Sequence, residues 1–458
     1  VRDLVLDFVD VRPWATPSAD GASVAFKVHA GETSASGLLS GDWRALAAGA
    51  GLPLASMGSV GAEVAVRDTW AGRRAAPLDE GVPEAARALG RALWERAFVG
   101  DAASVVRDAL TEARLRVVIR ASAAHPSTAE VLSLPWEMLG DDGGDGPPLG
   151  LRGGTSILRV VERATAQKRA DHGGRDALVV LGPIAAGRDA LDLDSDVAAI
   201  VAALGAGRVT VLRAPTLDGV RRALGERRYR VLHLAGHGRF NYAEGVGSIE
   251  LADPKPVPGA ALALALSGVD APPELVVLNI CHGGTLRADR PFESVALALL
   301  AQARAVVAMQ SQVPDTNATA FCRALYGRLA AGDAVDAAAA EGRRVVFAGS
   351  WRWATWALPA VYARSAAPWH LAPPLVDAPR RDLHAVRAVL IAHTADLAQV
   401  ARVAGPLAAR VPIAAAPSVA VAWQHLLRAA ASDGPGAVDA LLSRAAEELD
   451  GVRSALEP

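Results

Sequence analysis

Cysteine is nearly missing from this chain of 458 residues, which has only Cys281 and Cys322. Two cysteines make no disulfide framework, so the expected compartment is a reducing cytoplasm. Lysine is almost as scarce. Lys27, Lys168 and Lys255 are all there are, and arginine carries nearly all the positive charge. With so much alanine alongside, that pattern reads as coding bias. An excess of one charge is also lacking. A formal net charge of -2 gives no reason to expect nucleic acid or an anionic membrane as a partner. Long hydrophobic runs are missing as well. A membrane span needs roughly 20 uninterrupted apolar residues. The best stretch, 295 to 309, is broken by Gln302 and Arg304. No secretory leader pattern is visible.

What is present suits a globular protein, with 51% hydrophobic and 21% charged residues. The length exceeds one compact core. Residues 1 to 172 mix strand-like runs such as "LVLDFVDV", "SVAFKVHA" and "RLRVVIRAS" with a helix over 85 to 98. Residues 173 to 365 alternate regularly: "ALVVLG", "RVTVLR", "YRVLHLA", "ELVVLNI", "RAVVAM" and "WALPAVYA" read as short apolar strands, most of them separated by helices. A two-strand excursion is expected near 248 to 266. This pattern predicts an α/β core with a mostly parallel sheet flanked by helices. A Pro-rich linker (366 to 381) precedes a helical bundle (382 to 458), where Leu383, Val386 and Leu390 share one face and Val438, Leu441, Leu442, Ala445 and Leu449 another.

The stretch "RVLHLAGHGRF" (230 to 240) carries the chemistry. A buried-looking strand ends in Gly236-His237-Gly238, and packing alone gives no reason for the two glycines. Cys281 follows the next strand in "VVLNICHGG". Sites in parallel α/β sheets form at the carboxyl ends of strands, and adjacent strands lie about 4.8 Å apart, so neighbouring tips can face one another. A thiol opposite an imidazole is a nucleophile with its base. The imidazole would keep the sulfur as thiolate and later protonate the leaving amine. The backbone N–H groups of Gly238 and Cys281 are the candidate oxyanion donors.

The order strand-His-Gly, crossover, strand-Cys resembles the caspase-like cysteine peptidases, the group of caspases, separases, gingipains and metacaspases. Within it the chain is most similar to the CHAT domain. "LPWEML", "LGLRGGTSILR", "HLAGHG", "LNICHGG", the stretch from "FESVALALLAQA" through "AAAAEGRR" and "WRWATWALPAVYA" follow the family's order over roughly residues 83 to 365. The family's cysteine motif more often reads Ala-Cys-Glu-Thr-Gly, whereas this chain has Ile280-Cys281-His282-Gly283-Gly284. The dyad is kept and the cleft walls differ. The resemblance implies a caspase-like cysteine endopeptidase without a cofactor. It also implies a protein substrate, in a bacterial defence or cell-death system, where some relatives activate gasdermin-like pore formers. The alternative from another class is a non-catalytic scaffold with a caspase-like fold.

Blander readings stand beside these. His233, inside its strand, suits a buried supporting role, and Cys322 suits a core cysteine. A zinc set of His233, His237, Cys281 and His282 fails on spacing, because residues four apart in a strand span roughly 13 Å; no metal is expected. Trp136 and Glu137 read as a packing anchor and its hydrogen-bonding neighbour. Asp189, Asp192 and Asp194 are candidate walls of the substrate pocket, although Asp194 or Ser195 also suits a helix cap. The 382 to 458 bundle resembles effector-associated domains, small adaptors that pair with a similar bundle, and a plain stabilising cap is the other reading.

Overall fold

The computed structural model describes residues 1–8, 24–39, 84–123, 128–140, 146–162, 176–183, 191–241, 244–281, 283–284, 294–311, 313–350, 354–371, 389–409, 411, 413–433 and 435–449. Their contacts divide the chain into two units, Val1–Tyr326 with Ala334–Leu371, and Gly327–Asp333 with Ala372–Pro458.

The first unit begins with β1 (Arg2–Phe8), β2 (Val24–Ala30) and β3 (Thr33–Leu39), then α1 (Glu84–Ala97), α2 (Asp101–Leu110), β4 (Leu115–Ser122), α3 (Thr128–Ser133) and β5 (Thr155–Glu162). The regular alternation follows: β6 (Ala177–Leu181), α4 (Leu193–Leu204), β7 (Val209–Arg213), α5 (Leu217–Glu226) and β8 (Val231–Gly236). A small antiparallel sheet of β9 (Gly238–Asn241), β10 (Val246–Ile249) and β11 (Val257–Pro258) leads into α6 (Gly259–Ser267) and β12 (Leu275–Ile280). Then come α7 (Val295–Leu300), β13 (Ala305–Met309), α8 (Asp315–Ala330), α9 (Val335–Ser350) and β14 (Pro359–Ala363).

Among the described residues, eleven strands form one sheet in the order β3-β2-β1-β4-β5-β14-β13-β12-β8-β6-β7. Pairing is parallel except between β1 and β2, β2 and β3, and β13 and β14. The α/β expectation therefore holds, and the N-terminal strands extend the same sheet. Burial explains the sequence patterns. Strands β6, β8, β12, β13 and β14 are buried at every position, as runs covered on both faces must be. Strand β2 alternates buried with exposed or half-buried positions, as one open face requires. Helix starts follow side-chain capping: Thr216 accepts the Gly219 N–H and Ser294 accepts the Leu297 N–H.

One expectation is corrected. Of the two-strand excursion expected near 248 to 266, β10 and β11 pair as strands, but the remainder, "GAALALALS", is the helix α6. Alanine and leucine are strong helix formers, and Leu262, Ala263 and Leu266 bury one helical face.

In the second unit, α10 (Leu397–Ala404), α11 (Val419–Asp433) and α12 (Pro435–Glu448) pack around Val400, Val403, Trp423, Leu426, Leu441 and Ala445. Leu390, Leu442 and Leu449 join this core, as the helical periodicity predicts, while Leu383 and Val386 lie outside the described residues. Asp396 caps α10 by accepting the Gln399 N–H, and Gly405 ends it at φ 53°, a left-handed conformation that suits glycine. Among the described residues of the whole chain, no helix is long and apolar enough to cross a membrane.

Candidate active site

Strands β8 and β12 are parallel neighbours, with Val231 opposite Leu275 and Gly236 opposite Ile280. The next residue on each chain is His237 and Cys281. Both lie at the carboxyl edge of the sheet, and both side chains are half-buried. Two turns hold them there. The His237 carbonyl accepts the Glu250 N–H at 3.0 Å, which ties it to the end of β10. Beyond Cys281, the Gly284 N–H donates to the Met309 carbonyl at 2.8 Å, and the Tyr362 hydroxyl donates to the Gly284 carbonyl at 3.2 Å.

The glycines around His237 turn out to be required by close backbone approach. A Cβ at Gly238 would sit 2.2 Å from the Cys281 carbonyl oxygen. Gly236 has φ 147°, and a Cβ there would sit 3.2 Å from the Gly182 backbone. The sequence argument set packing aside, yet packing of His-strand and Cys-strand backbones is what excludes any side chain at 238.

The electrostatics of the thiol also differ from the sequence expectation. Burial pushes the Cys281 thiol above its ordinary value; the Val313 backbone opposes this, and the Asp315 carboxylate reinforces it. Burial thus works against the thiolate that the sequence expects the imidazole to maintain. Asp315 begins α8 and its carboxylate accepts the Asp192 N–H at 2.8 Å. It thereby joins the start of α4 to the neighbourhood of the cysteine. Sequence reasoning missed Asp315, whose one signal is its place in the first turn of a helix.

The three acidic candidates separate. Asp192 is the N-cap of α4, accepting the Ser195 N–H at 3.1 Å, so the capping residue is neither Asp194 nor Ser195. Asp194 pairs with Arg213 at 2.5 Å on the surface. Asp189 and His282 lie outside the described residues.

The CHAT-domain family model matches residues 83–364, well over half of the chain. The chain belongs to the CHAT-domain family. Among solved structures it is similar to RgpB in the complex of pro- and mature domains from Porphyromonas gingivalis. That match has 11% identity, covers 62% of this chain and 69% of that one, and has a TM-score of 0.36. It is also similar to separase in two separase-securin complexes from Saccharomyces cerevisiae. There the identity is 13%, with 57% of this chain covered, 16% and 17% of those chains, and a TM-score of 0.34. No curated protein matches in sequence. The CHAT domain suggests a cysteine peptidase type of function.

Two further features of this CHAT chain support the edge of the sheet. Glu137, buried after the expected anchor Trp136, accepts from Arg159 at 2.6 and 2.8 Å and from Arg343 at 3.3 Å. All three side chains are fully buried. Burial opposes ionisation of Glu137, but Arg159 and Arg343 outweigh it and hold the carboxyl below its ordinary value. The Trp136 indole N–H donates to the Val131 carbonyl at 2.8 Å, which fulfils the anchor reading. The second feature lies under β8 and β12. His233 is fully buried, as its place within the strand suggests, and its Nδ1 lies 3.1 Å from the Tyr326 hydroxyl. Cys322 is buried as well.

Proposed function

We propose that the chain is a cysteine endopeptidase with Cys281 as nucleophile and His237 as its base. The observation that carries this is the register of β8 against β12, which brings the two residues to adjacent strand ends. The raised thiol makes proton removal part of the attack. His237 takes the Cys281 proton as Sγ bonds to the substrate carbonyl carbon, and the carbonyl oxygen becomes an oxyanion. The N–H groups of Gly238 and Cys281 are assigned to that oxyanion. The imidazolium then protonates the departing amine, leaving a thioester, and water activated by His237 hydrolyses it.

Asp189, Asp192 and Asp194 are assigned to the substrate pocket, where acidic walls favour a basic residue before the scissile bond. The substrate is a protein, such as a gasdermin-like pore former, cleaved in the cytoplasm during defence or cell death. The 382 to 458 bundle serves as an adaptor that recruits a partner with a similar bundle. The deciding experiment incubates the chain with proteins encoded beside it and reads cleavage on a gel. Cys281→Ala and His237→Ala are each expected to abolish cleavage with the fold intact. Full activity in Cys281→Ala would remove the nucleophile, and no cleavage by the parent chain would favour the scaffold. A peptide-library profile preferring aspartate or apolar residues would remove the acidic pocket.

A further inference from the structure

Below the strand tips, Asp196 from α4, His233 from β8 and Cys322 from α8 converge, each buried. One ligand atom from each lies within 4.8 Å of the others. Two buried polar atoms of this cluster are without hydrogen-bond partners. His233 Nε2 and Asp196 Oδ1 are both buried with no hydrogen-bond partner, and His233 Nε2 lies 4.0 Å from Asp196 Oδ2. That separation is too long for a hydrogen bond. Buried polar atoms are nearly always satisfied, so two orphans in one cluster whose ligand atoms lie within 4.8 Å of one another call for a shared partner.

The surrounding groups are those of a metal site. With its proton on Nδ1, His233 donates to the Tyr326 hydroxyl and leaves the Nε2 lone pair free for a metal. The Asn279 amide donates to Asp196 Oδ2 and orients the carboxylate. A thiolate, an imidazole and a carboxylate form a donor set suited to zinc and poorly suited to magnesium or calcium. Charge agrees: one thiolate and one carboxylate neutralise a divalent ion, which a fully buried site requires. We propose that Asp196, His233 and Cys322 bind one zinc ion, with a fourth position left for water. Tetrahedral zinc with bonds of about 2.0–2.3 Å places its ligand atoms roughly 3.3–3.7 Å apart, so the cluster closes slightly on loading. Binding releases the Cys322 proton to solvent. This site shares no residue with the proposed dyad and does not depend on it.

Unfilled, the cluster is unfavourable. Burial raises the Asp196 carboxyl to about 6, above the opposing help of Thr319 and Asn279, and lowers His233 to about 3. The sequence expected no metal because its zinc set paired His233 with His237, which diverge along one strand; the set proposed here takes one ligand from each of α4, β8 and α8.

The test uses the full chain, freed of metal by a chelator, dialysed and titrated with zinc or cobalt(II). One zinc per chain by elemental analysis is expected, together with a thiolate-to-cobalt absorption band in the near ultraviolet. Cys322→Ala should abolish the band and Asp196→Asn should weaken zinc binding tenfold or more, while Cys281→Ala and His237→Ala keep both. The cobalt titration of the unaltered chain needs no variant to fold. No metal uptake by that chain overturns the proposal. So does a band lost in Cys281→Ala and kept in Cys322→Ala, since the metal would then sit at the dyad.

Discussion

At the scale of single residues, the absent side chain at 238 matters as much as the reactive ones. Alanine there would meet the Cys281 carbonyl oxygen at 2.2 Å, and no flexible group can give way. Gly238→Ala is therefore expected to cost roughly 1–3 kcal/mol of stability. If Cys281 is the nucleophile, displacing its backbone by about 1 Å should lower turnover about 100-fold. Peptide kinetics and thermal melts on one preparation separate the two effects. The two thiols offer a second prediction. Burial raises both, Cys322 well above the ordinary value and completely enclosed, Cys281 half-buried. Iodoacetamide should label Cys281 at least about ten times faster, because reaction needs both thiolate and access. Its rate should keep climbing with pH beyond the ordinary thiol value of about 8.5. Peptide mass spectrometry across a pH series reads this, and equal labelling of the two sites would contradict it.

Between elements, the buried triad of Glu137, Arg159 and Arg343 joins the segment after α3 to β5 and α9. Arg159 also donates to the Leu132 and Leu134 carbonyls, and Arg343 to the Pro359 carbonyl, so one carboxylate anchors several turns. Glu137→Gln leaves two guanidinium groups buried without their counter-charge and should cost about 3–5 kcal/mol in a denaturant titration. Its pH dependence has a definite sign. The folded carboxyl lies below its unfolded value, so its contribution is complete at neutral pH. It is lost as acid protonates Glu137 in the folded state. The parent chain should lose stability on acidification, and Glu137→Gln should show a flatter curve. The triad also shows what a sequence can convey. A lone arginine within "SILRVV" signals burial with a partner, but only the fold names Glu137 and Arg343 as those partners. The parallel strands and the strand-end positions of His237 and Cys281 were legible because apolar runs and strand ends are local patterns. Helix α6 went unread inside the expected two-strand excursion because Leu-Ala alternation satisfies both periodicities in so short a run. Asp196 and Cys322 were silent, since their meeting with His233 depends on crossovers far apart in the chain.

At the scale of the whole molecule, the two units set where a truncation belongs. Trp369 and Leu371 are buried in the first unit, the Val335 N–H donates to the Trp369 carbonyl, and Arg230 donates to the carbonyls of His370 and Leu371. A cut after Arg364 would remove them, so the informative cut falls after Leu371. If the bundle is an adaptor, that truncation leaves cleavage of a short peptide unchanged while cleavage of the protein partner is lost. Loss of peptide cleavage as well would return residues 382 to 458 to the peptidase's own structure. The placement of β14 carries a further consequence. It is the last strand made, yet it lies between β13 and β5, pairing Tyr362 with Val306 on one side and Arg159 on the other. Contacts so distant in the chain form late and slowly. The same Tyr362 hydroxyl holds the turn after Cys281 through Gly284. During synthesis on the ribosome, then, His237 and Cys281 both emerge before the strand that fixes their setting. If His237 and Cys281 are the working pair, the nascent chain has both early but lacks the Tyr362 clamp until almost the entire first unit has been translated, so cleavage should not precede completion of the sheet.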